Sequence, residues 1–202
     1  MKAIQSICVY CGSSPGNGDS YMQAGRDLGR AISSSGINLI YGGGIRGVMG
    51  AVASGAREAG GKVTGIIPRF LMDKEATQSA LRDLDELIIT DNMHQRKHLM
   101  FEKSDAFVAL PGGLGTVEEI VEIMTWAQLG HHLKPMVFCN IGGFWNPMLT
   151  LLDHMAREGF IHTAHRVKPI VADSGEEAVR SILDAAAGLR ANDGKAAIIE
   201  QM

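Results

Sequence analysis

The chain has few aromatic residues, three cysteines, six prolines and no excess of basic charge, and each shortage narrows what the protein can be. No uninterrupted apolar run reaches membrane-spanning length, so no membrane partner is expected. Nineteen Lys+Arg against 22 Asp+Glu leave a formal net charge of −3, without the broad basic field on which non-specific nucleic-acid binding depends. An anionic ligand must therefore be held locally. The opening Met1-Lys2-Ala3-Ile4-Gln5 passes straight into a strand-like segment with no signal-peptide apolar stretch, which predicts a cytoplasmic protein. Cys8 and Cys11 form a CxxC, but residues three apart on a strand lie roughly 10 Å apart, too far to bridge. With Cys139 they read as small buried hydrophobes. His94 and His98 stand at i and i+4, yet Gln95 occupies the place of the glutamate in HExxH and no third ligand follows, so no metal is expected. G-x-S-x-G is missing too, which makes Ser13 and Ser14 ligand-binding hydroxyls rather than nucleophiles.

What is plentiful is glycine, 25 residues of 202, nearly twice the usual share of about 7%. At 46% hydrophobic residues the chain can also bury a sizeable core. Short β-branched apolar runs (Ile4–Tyr10, Asn38–Tyr41, Lys62–Ile67, Glu86–Thr90, Ala106–Leu110, Pro135–Cys139 and, more weakly, Pro169–Ala172) alternate with segments of 3.6-residue apolar period. Examples of the latter are Met22, Leu28 and Ile32, and then Ile120, Val121, Met124 and Ala127. That order predicts an α/β protein: one Rossmann-like, doubly wound domain over residues 1–188, with a mostly parallel sheet of about seven strands and helices on both faces. Residues 189–202, rich in Ala, Asn, Asp and Gly, are expected to form a loosely attached tail. In such sheets ligands bind beyond the carboxyl ends of the strands. Three expected strands run into small-residue turns there, Cys11-Gly12-Ser13-Ser14, Tyr41-Gly42-Gly43-Gly44 and Pro111-Gly112-Gly113-Leu114-Gly115-Thr116, which suggests one shared pocket.

Each turn has two readings. Gly42, Gly44 and Gly47 match GxGxxG, but the next strand ends in Ile67-Pro68-Arg69 where a dinucleotide site would carry an acidic residue. These glycines either let backbone amides approach an anion at a helix N-terminus or merely permit tight packing. In Pro111-GGLGTVEE, Thr116 and the amides around Gly112, Gly113, Leu114 and Gly115 suit a phosphate, and Glu119 suits chemistry. Yet Thr116-x-x-Glu119 is equally a capping box in which the glutamate caps its own helix. Glu122 shares the face of Glu119 and is either a site residue or a solvated charge. Arg96 and Lys97 open a helix toward the same edge, as anion-neutralising groups or as surface charges. Glu75, in a polar stretch between Pro68 and Leu84, belongs either to a lid over the pocket or to a solvated loop.

Taken together, Tyr41-GGG-IRGVMG, Met93-HQRKHLM, Pro111-GGLGTVEE and Thr125-WAQLG resemble the LONELY GUY (LOG) family, the cytokinin riboside 5′-monophosphate phosphoribohydrolases once mislabelled lysine decarboxylases. The resemblance runs from about Ile4 to Asp184. It implies a hydrolase that cleaves the N-glycosidic bond of an N6-prenylated adenosine 5′-monophosphate, releasing free base and ribose 5-phosphate without an organic cofactor. No lysine stands out as a Schiff-base former for the older label. By the same resemblance Arg96 and Glu119 form the catalytic pair and Gly113 to Thr116 bind phosphate with Lys97. Glu75 contacts the ribose or base. Beyond what the resemblance carries over, Ser13, Gly43, Gly44, Gly112, Glu122 and Thr125 are the further candidate substrate-binding residues. A homodimer is implied, for which the helix carrying Met124, Trp126 and Leu129 offers a face, although the same residues also read as core. The alternatives are an AMP nucleosidase and a non-catalytic nucleotide or cofactor carrier of similar fold.

Overall fold

The β-branched runs form strands and the amphipathic segments form helices, alternating along the chain as a parallel sheet requires. The computed structural model describes residues 3–72, 84–161 and 169–199, the last ten of these by backbone alone. Seven strands, β1 (Ser6–Tyr10), β2 (Asn38–Tyr41), β3 (Val63–Pro68), β4 (Glu86–Thr90), β5 (Ala106–Ala109), β6 (Met136–Cys139) and β7 (Ile170–Ala172), lie in the order β4-β3-β2-β1-β5-β6-β7. Every pairing is parallel. Among the described residues the helices are α1 (Asp19–Ser34), α2 (Gly47–Glu58), α3 (Met93–Glu102), α4 (Leu114–Gln128), α5 (Asn146–Arg157) and α6 (Gly175–Ile199).

Side chains alternate across the sheet and divide the core in two. Ile7, Val9, Leu39, Tyr41 and Val108 pack beneath Leu28 and Ile32 of α1, Val48 and Val52 of α2, and Val179 and Ile182 of α6. Cys8, Tyr10, Ile40, Ile66 and Phe107 face Met100 of α3 and Ile120, Ile123 and Met124 of α4. Because both faces are covered, all five residues of β1 are buried. The apolar period expected on α4 holds for Ile120, Met124 and Ala127 but not for Val121, which is exposed because it lies one residue past the packed stripe. The segment expected as a tail continues α6 as helix to Ile199.

The chain winds outward from β1 to β4 and then returns to place β5 on the other side of β1. The strand order therefore reverses between β1 and β5, which opens a crevice between the loops that follow them. Register brings those exits level, since Tyr10 pairs with Ala109 and Val9 with Tyr41.

Candidate active site

At the reversal point the two loops are stitched together, with the Gly12 amide donating to the Pro111 carbonyl at 3.1 Å. Gly12 to Gly16, Pro111 to Gly113, Val48, Tyr21 and Phe144 line a cleft of about 220 Å³ there. Ser13 and Ser14 line it and are exposed.

Of the helices that start at this edge, α2 and α4 spend their first amides differently. In the first turn of α2, the Val48 amide donates to the Ser14 carbonyl at 3.4 Å and the Met49 amide to the Gly12 carbonyl at 3.0 Å. Gly47 enters the helix at φ +57°, and a Cβ there would overlap the Ser13–Ser14 backbone. Gly47 is thus required by packing, and the Val48 and Met49 amides that follow the GxGxxG turn go to the β1 loop. Gly43 is buried against Ile67, and the Gly44 amide points at the Met49 sulfur, 3.2 Å away.

The N-terminus of α4 is different. Its N-cap is Gly113, and among the described residues no side chain caps it. A Cβ at Gly113 or at Gly115 would meet nothing within 4 Å, so neither glycine is demanded by the protein's own packing. An uncapped helix start with cleared space beside it suits close approach of an anion to backbone amides. Thr116 is the third residue of this helix and is buried against Gly112, while Leu114 is 89% exposed beside it. The capping-box reading fails on this geometry. Thr116 is inside the helix rather than before it, and Glu119 lies in the second turn, buried and turned toward α3.

What Glu119 faces is Arg96. The guanidinium Nη2 lies 3.8 Å from Glu119 Oε1, and the two side chains are 5% and 10% exposed. The same Nη2 is 3.5 Å from the Gly42 carbonyl oxygen, and Nη1 is 3.8 Å from the Met93 sulfur. Gly42 makes this approach possible, since a Cβ there would collide with the guanidinium. Among the described residues the Arg96 Nε has no hydrogen-bond partner. A buried guanidinium with an unmatched donor is unusual for structure alone and common where a ligand completes the set.

Lys97, next to Arg96, has its ammonium hydrogen-bonded to Glu118 and 3.2 Å from Glu122 Oε1. Burial pulls its pKa down, but the two carboxylates outweigh that and hold it above the ordinary lysine value. Glu118, which motif spacing does not single out, is thereby joined to the group. α3 itself begins at a side-chain cap, Asn92 Oδ1 accepting from the Gln95 amide at 2.9 Å. Thr125 is not brought in; it lies about three turns down α4, its hydroxyl bonded to the Val121 carbonyl. Glu75 lies outside the described residues. His94 and His98 are exposed, with His98 Nε2 3.2 Å from Glu102, and no group of three or more metal-ligating side chains occurs among the described residues. All three cysteines are free and buried, and burial pushes the Cys139 thiol up to about 12.

Known proteins similar to this chain fall into one family and one fold. A family model described as possible lysine decarboxylase matches residues 49–182. A cytokinin riboside 5′-monophosphate phosphoribohydrolase of Arabidopsis thaliana is 44% identical over 186 residues, covering 90% of this chain and 80% of its own. One from Rhodococcoides fascians is 44% identical over 178 residues, covering 88% and 89%. Among solved structures, the molybdenum cofactor carrier protein of Chlamydomonas reinhardtii superposes with a TM-score of 0.68 at 22% identity, covering 92% of this chain and 99% of its own. At that identity the likeness speaks to the fold alone.

Proposed function

The chain belongs to the LOG family of phosphoribohydrolases that the older description calls possible lysine decarboxylases, and from that premise we propose that it hydrolyses the N-glycosidic bond of a nucleoside 5′-monophosphate bearing an N6-prenylated adenine. The observation that carries this reading is the buried Arg96–Glu119 pair, set beside the uncapped N-terminus of α4 at the β1/β5 crevice.

Cleavage breaks the bond between C1′ and the base and forms a bond from C1′ to the oxygen of water. Water's hydroxyl stays on ribose 5-phosphate and its proton leaves with the base. The transition state resembles an oxocarbenium ion, so a carboxylate fixed close to C1′ stabilises it while orienting the water. Glu119 fills that role. Arg96 holds the carboxylate in place and offers its unmatched Nε donor to the substrate. The phosphate goes to the amides of Gly113, Leu114, Gly115 and Thr116, with the Ser13 hydroxyl and Gly112 opposite. These groups bind the part common to all nucleotides, so preference for a prenylated base rests on the cleft walls, Glu75 included.

The same reading makes the enzyme a cytoplasmic homodimer, in keeping with its free cysteines. Of the residues expected at an interface, Met124 is core and Trp126 packs edge-to-face on Phe101, 4.8 Å between centroids. Leu129, which caps the end of α4, is exposed with Leu114 and Val121 of that helix, and these residues are the face offered to a second copy. Sedimentation of the purified chain at twice the monomer mass is the expected result.

The decisive experiment is chromatography after incubation with isopentenyladenosine 5′-monophosphate, AMP and the two matching nucleosides. Release of base from monophosphates and not from nucleosides is expected, fastest from the prenylated substrate. A faster reaction with AMP makes the protein an AMP nucleosidase instead, and no release from any substrate rejects the hydrolase.

A further inference from the structure

Arg96 and Lys97 are neighbours on α3, and Glu118 and Glu119 are neighbours on α4, so two ion pairs cross the gap between the helices side by side. Glu122, one turn further along α4, closes on the same ammonium at 3.2 Å. Only the first pair has a place in the chemistry proposed above. Lys97 is almost as buried as Arg96, at 8% and 4% exposure, so its ammonium is held against α4 rather than reaching into solvent. The five groups comprise two cations and three carboxylates, a net charge of −1. A phosphate dianion approaching Lys97 would meet that net negative charge and would have to displace two carboxylates already in contact with it.

Resting on the hydrolase reading, we propose that Lys97 is not a phosphate ligand but a positioning residue: with Glu118 and Glu122 it clamps α3 to α4 and so sets the separation and charge of the Arg96–Glu119 pair. The two ties act on adjacent residues of each helix, so loosening one lets the other shift. An error of about 1 Å in a catalytic group can cost roughly 100-fold in rate. The clamp also shapes the field at Glu119. Among the described residues, Arg96 of α3 lies against this carboxylate, Lys97, Glu118 and Glu122 form the charged cluster beside it, and the titratable groups that feel its charge from below are Cys8 and Tyr10 of β1 and Cys11 just after that strand. Burial keeps those thiols and the phenol neutral, so they add no charge, whereas Arg96, Lys97, Glu118 and Glu122 each contribute to the field at Glu119. Removing the Lys97 cation leaves two carboxylates uncompensated and makes Glu119 harder to ionise. Removing the two carboxylates makes it easier.

The test uses the full chain with Lys97→Met and the double substitution Glu118→Gln/Glu122→Gln, assayed against isopentenyladenosine 5′-monophosphate and adenosine, with inorganic phosphate as inhibitor. Lys97→Met is expected to lower kcat about 10- to 100-fold and to leave the KM of the nucleotide and the inhibition by phosphate within about twofold, as for an interaction that aids only the transition state. It should move the acidic limb of the pH profile upward, and the double substitution should move it downward. Lys97→Arg keeps the cation and should restore the wild-type limb. The proposal is overturned if Lys97→Met raises KM and weakens phosphate inhibition about tenfold with kcat preserved, or abolishes the preference for monophosphate over nucleoside. It is equally overturned if both sets of substitutions move the limb in one direction or leave it in place. If the wild-type protein releases no base, the hydrolase reading fails by itself. Calorimetry with inorganic phosphate and thermal unfolding then judge the clamp: unchanged phosphate affinity with non-additive stabilities of Lys97→Met and the double substitution upholds it, and lost affinity with additive stabilities rejects it.

Discussion

Glu119 and Arg96 show how little separates a structural from a functional charge at the level of one residue. Thr116-x-x-Glu119 has the spacing of a capping box, and only the start of α4 at Leu114 turns the glutamate inward onto a buried guanidinium. Glu119→Gln keeps the volume and most hydrogen bonding but removes the charge that meets the developing cation. It should fold with an unchanged circular dichroism spectrum and lose about 100- to 1000-fold in base release. Gly42 is tied to the same pair from the other side. Gly42→Ala places a methyl group where the guanidinium lies, with no backbone strain because Gly42 is not in the left-handed region. A fall in turnover of about 10- to 100-fold is expected, with a melting temperature close to wild type, since Arg96 can swing away from the added methyl. Both glycine-rich turns were visible as motifs; that Gly42 serves Arg96 and Gly47 serves the β1 loop was not, because the partners are about 50 and 30 residues away in the chain.

Elements act through their spacing. α1 and α2 lie against each other on one face of the sheet, and Gly25, Gly29 and Gly55 stand where the two backbones touch. A Cβ at Gly29 would overlap the Val52 carbonyl and reach to 2.7 Å from the Ala56 amide, both of them backbone that cannot rotate away. Gly29→Ala gains helix propensity but forces the helices apart, with an expected net loss of about 1–3 kcal/mol in urea-induced unfolding. Because α2 carries the amides that hold the β1 loop, the same variant should also weaken nucleotide binding. A 3.6-residue period announces that a segment is helical and which stripe is apolar. It carries no information on how closely two helices approach, which explains why Val121 reads as core and is exposed, while glycines on α1 turn out to be contacts.

The molecule as a whole divides function between the two edges of its sheet. The carboxyl edge holds the cleft and the Arg96–Glu119 pair, whereas the amino edge is bound together by buried polar groups. His132, between α4 and β6, has its Nε2 2.9 Å from the Ile123 carbonyl and accepts the Lys134 amide at Nδ1. Lys134 lies 3.8 Å above the Phe101 ring. Burial, with help from the Lys134 and His131 charges, lowers the His132 pKa from 6.5. The folded protein therefore binds fewer protons here than the unfolded chain. The stability this contributes is complete above about pH 6.5 and is lost as pH falls from there toward the lowered folded value, at no more than about 1.4 kcal/mol per pH unit. Urea midpoints measured from pH 7.5 to 5.5 should decline, and His132→Gln should flatten that decline although it lowers stability throughout.

The parallel sheet, the burial of β1 and the expectation of a site beyond the strands' carboxyl ends follow from the alternation of apolar runs and amphipathic segments, because that pattern permits few ways to cover a parallel sheet, whereas the strand order is read from the structure. The sequence by itself determined the architecture, the family resemblance and the candidate status of Arg96, Glu119 and the Pro111-GGLGT turn, all of which are local patterns of residue type and spacing. Only the tertiary structure decided that the Val48 and Met49 amides of α2 are spent on the β1 loop, that among the described residues no side chain caps α4, and that Lys97 is held by Glu118 and Glu122. Hydrogen bonds and ion pairs between segments far apart in the chain depend on distances of a few ångströms, and these are set by packing that no local pattern encodes.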